Sequence, residues 1–211
     1  MTSIVTPKII AITGSDGSGK STLCGRLKQR LLSQGESVVS VSIWDSLTVH
    51  HSFLKLSPSQ IDQYLFELSI PARTHFLMHA INESLALGLL QKPSYLLLDG
   101  YWYKYLASEA ARINLSGNAI KFNPKELASQ LPLPHQIFWV DADLEICAAR
   151  KSQFSRFETN SKTPSSSTFL QFQSHVLKTH AAWVKESSSI TLCGSLSPEA
   201  LEEECFRLLL K

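Results

Sequence analysis

KIIAITGSDGSGKST, residues 8–22, is the stretch that decides how the rest of the chain is read. An apolar run over residues 9–12 leads into Gly14-Ser15-Asp16-Gly17-Ser18-Gly19-Lys20-Ser21, which fits G-x-x-x-x-G-K-[ST], and a helix-favouring segment follows. Strand, glycine-rich turn and helix in that order form the context a phosphate-binding loop requires. Glycines let successive backbone N–H groups wrap a phosphate, and the positive end of the next helix adds attraction. Lys20 can reach the β- and γ-phosphates, and the Ser21 hydroxyl can ligate Mg²⁺. The expected ligand is a nucleoside triphosphate.

Working outward, Leu23, Leu27, Leu31 and Leu32 recur at helical spacing, and Gly35 is a natural stop. Residues 37–43, SVVSVSI, are rich in β-branched side chains and form the expected second strand. Two strands joined by a helix make a βαβ unit, so a parallel sheet is expected. Trp44-Asp45-Ser46 follows at that strand's carboxyl end, where open α/β sheets bind ligands; Asp45 fits either a ligand contact or a turn residue. Ser57-Pro58 opens a helix as N-cap and first turn. Pro71 interrupts or restarts it, and Phe76, Leu77, Ala80, Ile81, Leu85 and Leu89 trace one apolar face to about Gln91. Arg73 lies near the amino end of that face, where the helix dipole disfavours a cation; a surface position and an anion contact both fit. His75 and His79 are four apart without a third ligand, so solvated or capping roles are expected.

Residues 95–98 form an apolar strand closing on Asp99, the Walker-B pattern in which a carboxylate orients Mg²⁺ or its water. Gly100-Tyr101-Trp102-Tyr103-Lys104-Tyr105 then places aromatic rings at the expected ligand edge, about half of them serving packing alone. Residues 106–113 read as helix, 114–123 as loop and 124–127 as a short helix. A fourth strand spans 136–140 and a helix 144–150. Residues 151–167 are polar, rich in Ser and Thr, and carry Lys151, Arg156 and Lys162. A mobile basic segment there fits a lid that brings arginine over a transferring phosphoryl group, or a plain surface loop. A helix over 169–185, a strand over 189–193 and a helix over 198–210 complete one domain spanning 1–211.

Composition agrees with one globular domain: 211 residues, 44% hydrophobic and 18% charged. A net charge of +2 is too weak to argue for a nucleic acid polymer or a membrane as partner. Cys24, Cys147, Cys193 and Cys205 are scattered without a C-x-x-C pair, so buried free thiols in a reducing cytosol are expected. The first residues lack a signal peptide's apolar core, and no run of roughly 18 apolar residues occurs. The expected location is cytoplasmic.

This order of elements resembles the nucleoside monophosphate kinase plan, and within it the thymidylate kinase family, over nearly the whole chain. Gly14 to Thr22 is similar to that family's G-x-[DE]-G-x-G-K-[ST]-T loop, the acid at Asp16 being its more specific feature. Leu65-Phe66 with Ala72-Arg73, Asp99-Gly100-Tyr101, Phe138-Trp139-Val140-Asp141 with Arg150, and Ser155-Arg156-Phe157-Glu158 resemble further family motifs. The resemblance implies an α/β P-loop NTPase fold: a five-stranded parallel sheet flanked by helices, with a lid at about 151–167. It implies transfer of the γ-phosphate of Mg-ATP to a nucleoside monophosphate, by default dTMP. In that scheme Gly14, Ser15, Asp16, Gly17, Ser18, Gly19, Lys20, Ser21 and Thr22 hold ATP, with Arg150 beneath the adenine. Ser21 and Asp99 organise Mg²⁺, and Lys20, Asp99 and Arg156 are catalytic. Asp16, Asp45, Arg73, Tyr101 and Lys104 face the acceptor.

Three departures fall in the acceptor half. Gly100 replaces an arginine that touches the acceptor phosphate in the family, and Ile43-Trp44-Asp45 replaces Arg-Glu-Pro or Arg-Phe-Pro. Ser69 stands where a thymine-stacking Phe is common. Lys104 can supply the missing charge, and Gly100→Arg is expected to tighten dTMP binding wherever the backbone admits a side chain. Two rivals accompany this reading: a deoxynucleoside kinase with Asp45 as base, and a nucleotide-binding regulatory protein with a decayed acceptor site. The expected partners are ATP and a small nucleotide or nucleoside, with a homodimer left open.

Overall fold

The computed structural model describes residues 6–45, 57–117 and 122–210. Five parallel strands, β1 (Lys8–Gly14), β2 (Val38–Ser42), β3 (Tyr95–Asp99), β4 (Gln136–Asp141) and β5 (Ile190–Cys193), form one sheet in the order β2-β3-β1-β4-β5. The helices are α1 (Lys20–Ser33), a single turn α2 (Ile43–Asp45), α3 (Pro58–Glu67), α4 (Ile70–Leu90), α5 (Trp102–Ser116), α6 (Pro124–Leu127), α7 (Leu144–Ala149), α8 (Arg156–Thr159), α9 (Ser166–Glu186) and α10 (Pro198–Leu209). This is an α/β fold with an all-parallel five-stranded sheet flanked by helices, as expected from the sequence.

Both faces of the sheet are covered, because successive strand side chains point to opposite sides. Ile9 and Ala11 of β1, Leu96 and Leu98 of β3, and Ile137 and Trp139 of β4 pack with Leu77 and Ile81 of α4 and Leu106 of α5. Their neighbours Ile10, Ile12, Leu97, Phe138 and Val140 pack with Leu23, Leu27 and Leu31 of α1 and with Leu201 and Cys205 of α10. Helix starts follow local chemistry. Ser57 and Gln60 form a reciprocal capping box ahead of α3, and Ser69 caps α4 with Pro71 in its first turn.

Several boundaries differ from the sequence expectation. Ile43 leaves the strand to begin α2. α5 starts at Trp102, four residues early, and runs to Ser116 before Gly117 ends it at φ +63. α9 begins at Ser166 behind a Ser165–Thr168 capping box, and a short helix lies within 151–167. All four cysteines are free, but Cys193 is exposed rather than buried. No helix among the described residues is long and apolar enough to cross a membrane.

Candidate functional site

Sheet register assembles the site at the carboxyl ends of the central strands. Asp99 pairs with Ile12 on one side and Ser42 on the other, and the Gly100 N–H donates to the Ile12 carbonyl at 2.9 Å. The carboxylate of β3 therefore stands beside the loop that leaves β1. That loop passes under α7 so closely that a Cβ on Gly17 would run into the Cys147 carbonyl. α1 begins behind Gly19, with no side chain capping its first N–H groups and no acid in its first turn. Fourteen residues of helix dipole thus end on open donors, the arrangement that attracts an anion. The buried Ser18 Oγ, in the same loop, has no hydrogen-bond partner among the described residues.

One carboxylate and two lysines meet at the mouth of the loop. Lys20 Nζ donates to the Ser15 carbonyl at 3.2 Å and to Asp16 Oδ1 at 3.5 Å, and Lys104 Nζ, from the first turn of α5, donates to the same oxygen. Both lysines are buried. Burial, followed by the neighbouring Lys104, lowers the Lys20 ammonium pKa against the opposing pull of Asp16. Lys104 shifts the other way: burial opposes its charge, but Asp16 outweighs burial and raises it. Asp16 is held well below the carboxylate range, because Lys104 and Lys20 overcome the desolvation that would raise it.

A cavity of about 290 Å³ opens from this trio, with Asp16 and Lys104 in its wall. Trp44, Ile61 and Leu65 supply its apolar side; Asp62, Ser155, Phe157 and Glu158 close it. The closing segment is anchored rather than loose. Asp62 accepts the Arg156 and Phe157 N–H groups at 3.0 and 2.9 Å, Gln173 donates to the Glu158 carbonyl at 2.7 Å, and Lys151 pairs with Glu158 at 2.9 Å. Arg112 donates to the Phe157 carbonyl and to Asn160, and its guanidinium lies over the Phe157 ring at 4.5 Å. A second cavity of about 250 Å³ lies on the far side of the loop. Ser18, Thr22, Arg150, Gly194 and Leu196 line it, and Arg150 donates to the Ser18 and Gly194 carbonyls.

No protein-family model matches this chain. A curated thymidylate kinase of Leptospira borgpetersenii serovar Hardjo-bovis (strain L550) is 24% identical over 209 residues, spanning 97% of this chain and 94% of that protein. This weak likeness runs nearly end to end, in agreement with the P-loop kinase architecture, and supports a distant relation to nucleotide kinases.

The residues singled out from sequence do not all reach the site. Gly14 to Thr22, Lys104 and Asp99 gather there, and Arg150 borders the second cavity. Asp99 Oδ1 is buried without a hydrogen-bond partner among the described residues. Together with the exposed Ser21 it offers hard oxygen ligands, a donor set that fits Mg²⁺. The side chain of Asp45 lies outside the described residues.

Arg73 is neither a surface arginine nor part of the cavity wall. It is buried, its Nε donates to both Glu109 oxygens at 2.9 and 2.8 Å, and its Nη1 donates to the Leu65 and Leu68 carbonyls. Tyr101 turns away to donate to the Pro132 carbonyl at 2.8 Å. Tyr101, Trp102, Tyr103 and Tyr105 are all buried packing residues; the rings that line the cavity are Trp44 and Phe157. Gly100 has φ +73, and a Cβ there would stand 3.1 Å from the Tyr105 hydroxyl and 3.7 Å from Lys20 Cε. The left-handed backbone thus works against arginine at this position. Arg156 is half-buried at the start of α8, its guanidinium without an ion pair among the described residues.

Sequence reasoning missed Asp62, Glu109, Arg112 and His180. Glu109 and Arg112, set in the largely apolar run YLASEAAR, signalled a buried pair; Asp62 and His180 belong to no local pattern. Glu109 Oε1 accepts from Arg112 at 2.6 Å as well as from Arg73. His180 is buried, 2.9 Å from the Thr13 hydroxyl and edge-on to Trp139.

Proposed function

We propose that the chain is a single-domain cytoplasmic kinase that moves the γ-phosphoryl group of ATP to a small acceptor of the nucleotide or nucleoside class. The observation that carries this reading is the Asp16–Lys20–Lys104 trio, set between an uncapped helix start and a cavity covered by residues 155–158. Loop N–H groups and Lys20 would hold the donor phosphates, and Arg150 would border the donor base. Ser21 and Asp99 would hold Mg²⁺, which neutralises phosphate charge when bound. Lys104 is the cation on the acceptor side, and Arg156 is the first residue of α8 in the closing segment. Positioning and charge stabilisation are sufficient for phosphoryl transfer, so no covalent intermediate is required. The distant thymidylate kinase makes dTMP the first acceptor to try. Arg73, committed to Glu109, is not assigned an acceptor contact.

The test pairs calorimetric titration of Mg-ATP with radiolabelled transfer to a panel of nucleosides and nucleoside monophosphates. Lys20→Ala should abolish transfer while the variant remains folded. Equal turnover in variant and parent would refute the assignment. ATP binding without transfer to any acceptor would favour a regulatory nucleotide-binding role.

A further inference from the structure

Resting on the kinase reading, we infer that the acceptor is uncharged at its reacting end: a nucleoside offering a primary hydroxyl, not a nucleoside monophosphate. Among the described residues, the acceptor cavity is poor in positive charge. Asp16, Asp62 and Glu158 line it with one described cation, Lys104, which is already bonded to Asp16. A phosphate dianion entering there meets three carboxylates and no uncommitted cation among the described lining residues, and burying charge without a new partner is costly.

Two nearby arginines cannot be recruited cheaply, and Arg156 is not among the residues lining the cavity. Arg73 and Arg112 share Glu109, which is fully buried, and each also donates to backbone carbonyls. Releasing either leaves part of a buried network unpaired. The end of β3 offers no replacement, since the φ of +73 at Gly100 disfavours a long side chain. The cavity does suit a nucleoside. Trp44, Leu65 and Phe157 present apolar surface to a flat ring, while Asp16 and Glu158 can accept hydrogen bonds from sugar hydroxyls. At about 290 Å³ it lies at the small end of ligand sites, which span about 300–1,000 Å³.

The chemistry closes without a further reactant. The acceptor hydroxyl oxygen forms a bond to Pγ, the bond from Pγ to the bridging oxygen breaks, and ADP leaves with its electron pair. Asp16, whose Oδ1 is held by Lys104 and Lys20 and whose Oδ2 has no hydrogen bond among the described residues, accepts the hydroxyl's hydrogen bond and aims its oxygen at Pγ, and the proton ends on the transferred phosphoryl group.

The experiment titrates four deoxynucleosides and their 5′-monophosphates into the full chain with Mg²⁺ and a non-hydrolysable ATP analogue, then measures radiolabelled transfer from ATP to each. At least one nucleoside should bind about tenfold tighter than its own monophosphate, the scale of one charge-assisted contact, and be phosphorylated. Asp16→Asn should cut that turnover by roughly a hundredfold or more while Mg-ATP still binds, which also establishes that the variant is folded. A monophosphate that binds or turns over as well as its nucleoside, or better, overturns the inference and leaves the kinase reading standing. Mg-ATP binding with transfer to neither class also overturns the inference, and favours the regulatory nucleotide-binding role over the kinase reading. Failure of Mg-ATP to bind removes the kinase reading itself.

Discussion

Acid should destabilise this protein through His180, and the size of the effect can be worked from its surroundings. The imidazole is 1% exposed, packed against Trp139 and hydrogen-bonded to Thr13. Burial, then the cations of Lys104 and Lys20, push its pKa from an ordinary 6.5 to about 3, with Asp16 only partly offsetting them. Between those two values the unfolded chain binds a proton that the folded chain refuses, so stability falls as the pH drops through the window. Moving from about pH 7.5 to about pH 5 should cost about 2 kcal/mol from this group alone. The figure barely depends on the folded pKa, because about pH 5 lies well above it and the unfolded histidine sets the loss. Urea unfolding of wild type and His180→Gln at both pH values isolates the contribution, since the other histidines cancel in the double difference. The wild type should lose about 2 kcal/mol more than the variant. Equal losses would refute the reasoning and mean that His180 titrates normally in the folded state.

Gly100→Ala should lower stability by about 1–3 kcal/mol, because a side chain is strained at φ +73 and crowds Tyr105; thermal unfolding at the wild-type midpoint would contradict this. Arg112→Ala should cost about 3–5 kcal/mol and speed proteolysis within residues 151–167, since it strips Glu109 of one cation and the Phe157 carbonyl of its donor. Unchanged cleavage there would mean that Arg112 does not hold the closing segment. Arg156→Ala should leave stability within about 0.5 kcal/mol, as its guanidinium forms no ion pair among the described residues. Its kcat should fall by roughly 10³-fold, and loss of ATP affinity at steady kcat would place it in ground-state binding instead.

What sequence alone determined is what short spacings encode. The glycine and lysine pattern of residues 14–21, the alternation of strands with helices, the caps at Ser57 and Pro58, and the carboxylate closing β3 each depend on residues within a few positions of one another. Backbone sterics and local hydrogen bonding decide such features before any long-range contact forms. Tertiary structure decided which charges meet. Lys104 reaches Asp16 across 88 residues, Asp62 takes the α8 amides across 94, and His180 lies beneath Thr13 across 167. None of these distances follows from periodicity, because each depends on how a helix crosses the sheet and on strand register. Arg73 makes the contrast plain. Its place near a helix start was legible, and so were two opposite uses for it, solvent or anion. Only the approach of α5, carrying Glu109, turned it into a buried structural cation and left Lys104 as the described cation that lines the acceptor cavity.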